Sequence, residues 1–299
     1  MCGIVGLYTK NPDLQSSLGS LLSAMLIQMA DRGPDSAGFA IYHDPVGAES
    51  IKVTLQGNHD TDWKQIEQQI AEGLDPAVKI SPIATHAVVT LSVGGDKAIE
   101  WIDSSLKTVR MTGNGRSIEI FKEKGHPREV IETFSLQDMT GTHALGHTRM
   151  ATESRVTTEH SHPFSTGMDL CLVHNGSLSN HNRLREKLRA DGIRFQTDND
   201  SEVAAGYLTW RLKQGATLKE SMQAALADLD GFYTFAIGTK NGFAVLRDPI
   251  ACKPAVLAET EDWVAMSSEY RSIAQLPGNE KARVWEPNPA TIYSWERES

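Results

Sequence analysis

Residues 1–8 read Met1-Cys2-Gly3-Ile4-Val5-Gly6-Leu7-Tyr8. From Cys2 onward the run has the length and apolar character of a buried strand, and it starts on a thiol beside the chain terminus. The small second residue favours removal of Met1, which would leave a nucleophile and a free α-amine on the same residue. A thiol of ordinary pKa about 8.5 is the best side-chain nucleophile near neutrality, and an α-amine titrating near roughly 7.7 can take its proton directly or through one water. A first strand that happens to follow Met-Cys fits the same residues, so the choice falls to the rest of the chain.

Working outward, Asn11 can cap a helix with Pro12 in its first turn, and Leu14, Leu18, Leu21, Leu22, Met25, Leu26 and Met29 recur at helical spacing. Ser36 to Tyr42 follows as a second strand. Residues from about 44 to 140 differ in texture: a helix around Trp63, Ile66 and Ile70, a strand His86 to Val93, a hairpin-like pair around Gly113-Asn114-Gly115, and a short helix from Pro127. From Gly141 short apolar strands resume at 143–147, 170–173, 232–238, 242–247, 254–258 and 263–266. Lys240-Asn241-Gly242 supplies a hairpin turn. Helices near 180–191, 199–214 and 217–229 intervene, the last opened by a Thr217/Glu220 capping box, with Gly192 and Gly215 at helix stops. Hairpin-linked strands and helices in runs predict an α+β layered sandwich, not a doubly wound parallel sheet.

Composition narrows the function classes. The chain has 299 residues, 40% hydrophobic and 22% charged, with net charge −9 and no long basic run, which argues against nucleic acid as a partner. No apolar stretch approaches the roughly 20 residues of a membrane span and no leader pattern opens the chain, which predicts a cytoplasmic protein. Cys2, Cys171 and Cys252 are too few and scattered for a disulfide framework, a zinc site or an iron–sulfur cluster.

Four polar clusters stand at strand ends and turns: Asp31-Arg32-Gly33-Pro34-Asp35-Ser36-Ala37-Gly38, Gly146-His147-Thr148-Arg149-Met150-Ala151-Thr152, Val173-His174-Asn175-Gly176 and Thr197-Asp198-Asn199-Asp200-Ser201-Glu202. Each alone reads as a turn or cap. Joined to Cys2 they supply what attack on an amide needs: a nucleophile with a base, a guanidinium fork for a carboxylate, amide and backbone donors for an oxyanion, and a carboxylate for an ammonium group.

Over residues 2–42 and 141–270 these clusters resemble the class II glutamine amidotransferases, the N-terminal-nucleophile glutaminases, with five motifs in the family's order. The resemblance implies a four-layer αββα sandwich of the N-terminal-nucleophile hydrolase type, formed by one domain over 2–299 with an inserted α/β elaboration at about 44–140. It implies Cys2 as nucleophile with its own α-amine as base, and Asn175 and the Gly176 N–H as the oxyanion hole. Arg149, whose planar fork suits a carboxylate, would grip the α-carboxylate of L-glutamine. Asp200 would accept the α-ammonium, and Thr152 joins the substrate-binding set. Arg32 and His147 would support the nucleophile region. Arg247-Asp248-Pro249 through Lys253-Pro254 and Ser267-Ser268-Glu269 resemble late family strands and are expected to be structural. Met150 and Glu153 depart from the residues several members carry there.

Within the class, the runs Gly141 to Ser154 and His174 to His181 look closest to the stand-alone glutaminase subunit of three-subunit, glutamate-synthase-like enzymes, N-methylglutamate synthase included. This resemblance implies a hetero-oligomer in which separate synthase subunits receive the ammonia. FMN and iron–sulfur clusters would sit on a partner, with no cofactor in this chain. A free-standing γ-glutamyl amide hydrolase remains an alternative, as does an inactive structural or regulatory subunit if Met1 is retained.

Other features carry less. Glu159-His160-Ser161-His162 has metal-ligand residue types but no supporting cluster, and is expected to be a loop with satisfied polar groups and no metal. Cys171 and Cys252 read as small core residues. Gly94-Gly95-Asp96 and Gly113-Asn114-Gly115 do not open helices after strands with the dinucleotide spacing, so no phosphate loop is assigned.

Overall fold

The computed structural model describes residues 2–151 and 156–297. In chain order the strands are β1 (Gly3–Thr9), β2 (Ser36–Tyr42), β3 (Ile51–Gln56), β4 (Lys79–Ile83), β5 (His86–Leu91), β6 (Arg110–Gly115), β7 (Ile118–Lys124), β8 (His143–Arg149), β9 (Phe164–Gly167), β10 (Leu170–Leu178), β11 (Gly231–Thr239), β12 (Gly242–Arg247), β13 (Val256–Glu259), β14 (Trp263–Ser267), β15 (Arg283–Trp285) and β16 (Ile292–Glu296). The helices are α1 (Leu18–Gln28), α2 (Trp63–Gly73), α3 (Gly95–Ser105), α4 (Pro127–Thr133), α5 (His181–Ala190), α6 (Asp200–Lys213), α7 (Leu218–Asp228) and α8 (Tyr270–Ile273).

Side-chain alternation along the strands builds the layers. In β1, Val5 and Leu7 pack into the core that holds Leu22, Met25 and Leu26 of α1, while Ile4 and Tyr8 face a second core shared with Cys171 and Val173 of β10 and Phe243 and Val245 of β12. In β10, Leu170 and Leu172 turn the other way, into a third core with Val203, Leu208 and Met222 of α6 and α7. Three apolar layers between helices, sheet, sheet and helices make an αββα sandwich. Its first sheet is seven-stranded, β15-β13-β14-β1-β8-β2-β7, and its second five-stranded, β16-β12-β11-β10-β9. All pairings within both are antiparallel, which carries the α+β expectation. Among the described residues no helix is long and apolar enough to cross a membrane.

A separate four-stranded sheet, β4-β5-β3-β6, carries its own core with α2 and α3. It spans 51–115; β7 and α4, which share its sequence texture, pack instead with the seven-stranded sheet and α1. Hence Gly113-Asn114-Gly115 is no hairpin. β6 pairs with β3 and β7 with β2, and the chain crosses between sheets at Arg116 and Ser117, whose N–H groups donate to the Asp169 carboxylate at 2.9 and 2.8 Å.

α3 opens at Gly95 after β5, with Gly94 as its N-cap and Ala98 and Ile102 giving it a buried stripe. Two further readings are corrected. Cys252 is exposed in the turn after β12, whereas Cys171 is buried and its thiol is pushed up to about 12 by desolvation. The helix capped by Asn11 begins as a 3-10 turn over Pro12–Ser17, which buries no residue; regular α-helix starts where the apolar stripe does, at Leu18.

Candidate active site

The candidate residues meet at one end of the sandwich, where β1 begins and β8 and β10 end. Antiparallel pairing of Gly3 with Thr148 continues to place Cys2 opposite Arg149, and the Cys2 thiol contacts the Met150 carbonyl at 3.8 Å. Cys2 is partly exposed, and among the described residues its thiol bonds nothing else. Its backbone is held from two sides: Arg32 Nε donates to the Cys2 carbonyl at 3.0 Å, and Asn175 Nδ2 donates to the same oxygen at 3.2 Å. Close approach underlies this end. A Cβ on Gly33 would lie 2.3 Å from Arg149 N, and one on Gly3, at the start of β1, 2.8 Å from Met29 Cβ, so both close approaches demand glycine.

Alternation along β10 throws Asn175 toward β8 and His174 toward α6. His147 Nε2 lies 3.2 Å from both the His174 carbonyl and Asn175 Oδ1. A carbonyl can only accept, so His147 carries its proton on Nε2, and the Asn175 atom facing it is the oxygen. The amide NH₂ therefore faces Cys2. Both of its hydrogens are engaged here, by the Cys2 carbonyl and by Ser268 Oγ at 3.1 Å, so service to an oxyanion requires exchange of one of these bonds. Gly176 has φ +148, and a Cβ there would stand 2.0 Å from the Phe232 carbonyl.

Asp200 is the first residue of α6, behind the Asn199 N-cap, where the helix dipole favours a carboxylate. Its Oδ2 accepts the Leu178 N–H at 2.9 Å. Buried Glu202 fixes the loop in front of it, accepting from Gln196 N at 2.7 Å, Thr197 N at 2.8 Å and Thr197 Oγ1 at 2.7 Å. Arg149 is buried at the end of β8, and its carbonyl accepts the Asp35 N–H at 3.1 Å. Asp35 in turn accepts the Ala151 N–H at 2.8 Å. Thr152, Glu153 and Met1 lie outside the described residues.

Several residues at this site went unassigned in the sequence. Ser268 and Glu269 are more than scaffold: Ser268 Oγ accepts from both Asn175 Nδ2 and Ile4 N, and Glu269 forms the ion pair of Arg32. Their signal was available, since Ser267-Ser268-Glu269 puts three polar residues directly on the end of an apolar strand. His162 lies in a loop, as read, but its Nδ1 is buried without a partner among the described residues. The residue is buried, stacks on His147 with ring centroids 3.9 Å apart, and shares Ser201 Oγ with His174, each at 2.9 Å. His160 is the half-buried member of that motif and pairs with Asp198 at 2.8 Å. The His162 segment is held by buried Lys122, whose ammonium donates to the carbonyls of Ser161 at 2.9 Å and of Glu159 and Pro163 at 3.3 Å; desolvation brings its pKa down to about 8.

Burial keeps all three imidazoles neutral. Desolvation lowers His147 to about 3, against the opposing pull of its bonds to His174 and Asn175. It lowers His162 well below the usual range, and lowers His174 despite the Asp200 carboxylate. These rings orient their neighbours and are not set up to exchange protons near neutrality. A cleft of about 850 Å³ between α3 and the turn before α6, lined by Ile99, Met168 and Phe195, contains none of the candidate residues.

Comparison with known proteins follows the geometry. The family described as "Glutamine amidotransferase domain" matches residues 147–275. The chain is 52% identical over 300 residues, covering 100% of itself and 99% of the relative, to the glutamine amidotransferase-like protein GlxB of Rhizobium meliloti (strain 1021). In fold it is similar to the allosteric regulatory enzyme of purine biosynthesis, with TM-score 0.63 at 20% identity over 99% of this chain and 47% of that one. It is likewise similar to the glutamine phosphoribosylpyrophosphate amidotransferase of B. subtilis, with TM-score 0.60 at 20% identity, over 99% of this chain and 49% of that one. This chain thus spans about half of each solved enzyme.

Proposed function

Because this chain belongs to the glutamine amidotransferase family, we propose that it hydrolyses L-glutamine to glutamate and ammonia, with Cys2 as nucleophile. The observation that carries this reading is the grip on Cys2: its carbonyl is fixed by Arg32 and Asn175, and its thiol sits against the Met150 carbonyl at the end of the strand that carries Arg149. Removal of Met1 exposes the α-amine, which accepts the thiol proton; the neutral histidines are committed to other partners. The thiolate attacks the carboxamide carbon of glutamine, and charge gathers on an oxygen served by the Asn175 NH₂ and the Gly176 N–H. The α-ammonium so formed passes its proton to the carboxamide nitrogen, whose bond to carbon breaks as ammonia leaves and the γ-glutamyl thioester forms. Water then cleaves the γ-glutamyl thioester, restoring the thiol and releasing glutamate. Arg149 and Thr152 hold the carboxylate end of the substrate, and Asp200 holds its ammonium.

Ammonia released into water is lost to synthesis, so we assign its delivery to a separate synthase subunit of the N-methylglutamate synthase or glutamate-synthase-like kind, within a cytoplasmic hetero-oligomer. Of the redox groups of such an enzyme, FMN and iron–sulfur clusters, the clusters need converging thiols, and the described cysteines of this chain do not supply them. Cys171 is buried against Tyr42, Cys252 is exposed in another turn, and Cys2 belongs to the site, so the three thiols do not converge. We place those groups on the partner.

The test is ammonia release from L-glutamine by the native chain, by Cys2→Ala, and by the chain reassembled with its synthase subunits. Turnover abolished in Cys2→Ala and raised by the partner supports the proposal. Turnover unchanged in Cys2→Ala removes Cys2 from the chemistry, and equal rates with and without the partner remove the subunit reading.

A further inference from the structure

Ser201 stands at the junction of the buried polar network. Its Oγ lies 2.9 Å from His162 Nε2, 2.9 Å from His174 Nδ1 and 3.3 Å from Asp200 Oδ1. A serine hydroxyl has one hydrogen to donate and two lone pairs with which to accept. Three partners therefore use its full capacity, and only one assignment satisfies them all. An ionised carboxylate can only accept, so if the Ser201 hydrogen went to a histidine, two oxygens would face each other at 3.3 Å with no proton between them.

That histidine would also have to carry its own proton on the far nitrogen. The far nitrogens, His162 Nδ1 and His174 Nε2, are buried and without a partner among the described residues. A proton on either far nitrogen would leave a buried N–H without an acceptor, a rare arrangement in folded proteins. His174 Nε2 also rests where Gly176 lacks a side chain, 2.7 Å from the position a Cβ would take. The bare nitrogens thus belong on the far side of each ring. His162 carries its proton on Nε2 and His174 on Nδ1, and both donate to Ser201.

We propose that Ser201 is a positioning residue: with both lone pairs filled by His162 and His174, its single hydrogen is aimed at Asp200, which orients that carboxylate for the α-ammonium group of an amino-acid substrate. The inference rests on the glutamine-hydrolysis reading for the identity of the ammonium. Among the described residues the arrangement supplies Asp200 with two neutral donors, Ser201 Oγ and Leu178 N, while His174 Nδ1, 3.8 Å from Asp200 Oδ1, belongs to a ring whose pKa burial lowers. It leaves the positive charge to the substrate. The stacked pair His147 and His162 joins this hub to Asn175, so the ends of the site that meet the ammonium and the carboxamide share one buried framework.

The test compares L-glutamine with 4-carbamoylbutanoate, which is glutamine without its α-ammonium. Ser201→Ala is expected to raise KM for glutamine about 10-fold with kcat within about 2-fold, the scale of one hydrogen bond to a charged group. It should leave kcat/KM for the deaminated substrate within about 2-fold, and Ser201→Thr, which keeps the hydroxyl, should restore the glutamine KM. Equal loss on both substrates would show a merely structural role and overturn the proposal. Nitrogen-15 NMR of the unmodified protein tests the assignment without turnover, so it decides if Ser201→Ala does not fold. Nε2–H on His162 with Nδ1–H on His174 supports it, and either opposite tautomer overturns it. A wild-type chain that hydrolyses neither substrate refutes the glutaminase reading separately and leaves the tautomers to decide the hub.

Discussion

Replacing Arg32 by Met separates positioning of Cys2 from stability of the fold. The Arg32 side chain is 9% exposed and its Nε donates to the Cys2 carbonyl at 3.0 Å, so a charge-assisted bond worth about 1.5–3 kcal/mol disappears. Met retains most of the apolar stem, which limits the packing loss. Glu269 is not stranded by the change: it is 34% exposed and keeps Arg271 at 2.8 Å. An ion pair that open to water adds at most about 1 kcal/mol to stability. Among the described residues Asn175 then holds the Cys2 carbonyl by itself, and the thiol gains freedom to leave its line of attack. Converted at about 1.4 kcal/mol per decade, the lost bond predicts a 10- to 100-fold fall in kcat/KM for glutamine. The assay is steady-state ammonia release beside a thermal melt of the same sample. Turnover within 2-fold of wild type would refute the reasoning, and so would a loss that tracks unfolding alone. Arg32→Lys should recover only part of the rate, since an ammonium cannot address the Cys2 carbonyl and Glu269 with one planar fork.

Asn175→Ala removes the amide that faces Cys2 and should lower kcat by about 10²- to 10³-fold while the circular dichroism spectrum is kept, as measured by single-turnover ammonia release. Gly176→Ala forces a Cβ to within 2.0 Å of the Phe232 carbonyl at φ +148, so a loss of about 3 kcal/mol or more should appear as a lower denaturant midpoint or as insoluble protein. His86, His143 and His147, each lowered by burial to about 3, bind fewer protons folded than unfolded between that pH and about 6.5. Their contribution to stability is complete above pH about 6.5 and drains as pH falls, by up to about 1.4 kcal/mol per pH unit for each ring; urea midpoints measured from pH 7 to 4.5 should decline throughout.

The sandwich was legible because its signals are local and mutually consistent. Strands such as β1 (Gly3–Thr9) and β2 (Ser36–Tyr42) are largely apolar on both faces, as sheets covered on two sides must be, and the Thr217/Glu220 capping box and the Asn241-Gly242 turn fix element ends from within the element. Where reading failed, the deciding contact was distant in sequence. The chain after Gly115 changes sheets because Asp169, more than fifty positions away, caps the crossing, and no residue near Gly113 announces it. The short edge strands β15 and β16 are too brief and too exposed to leave a pattern.

At the site, Cys2, Arg32, His147, Arg149, Asn175 and Asp200 are singled out by the order of motifs that resembles the family, since each polar cluster taken alone reads as a turn or cap. Ser268, His162 and Ser201 are not, because each matters only through partners brought in by folding: Asn175 for Ser268, His147 for His162, and two imidazoles for Ser201. A hydroxyl's role depends on how its three bonding positions are filled, and sequence spacing carries no record of that.

Intact-mass spectrometry of the native protein after exposure to a diazoketone analogue of glutamine bears most directly on Cys2. The account predicts a chain that lacks Met1 and carries a single adduct, mapped by fragmentation to Cys2. Met1 retained, or an adduct absent or located on Cys171 or Cys252, would contradict it.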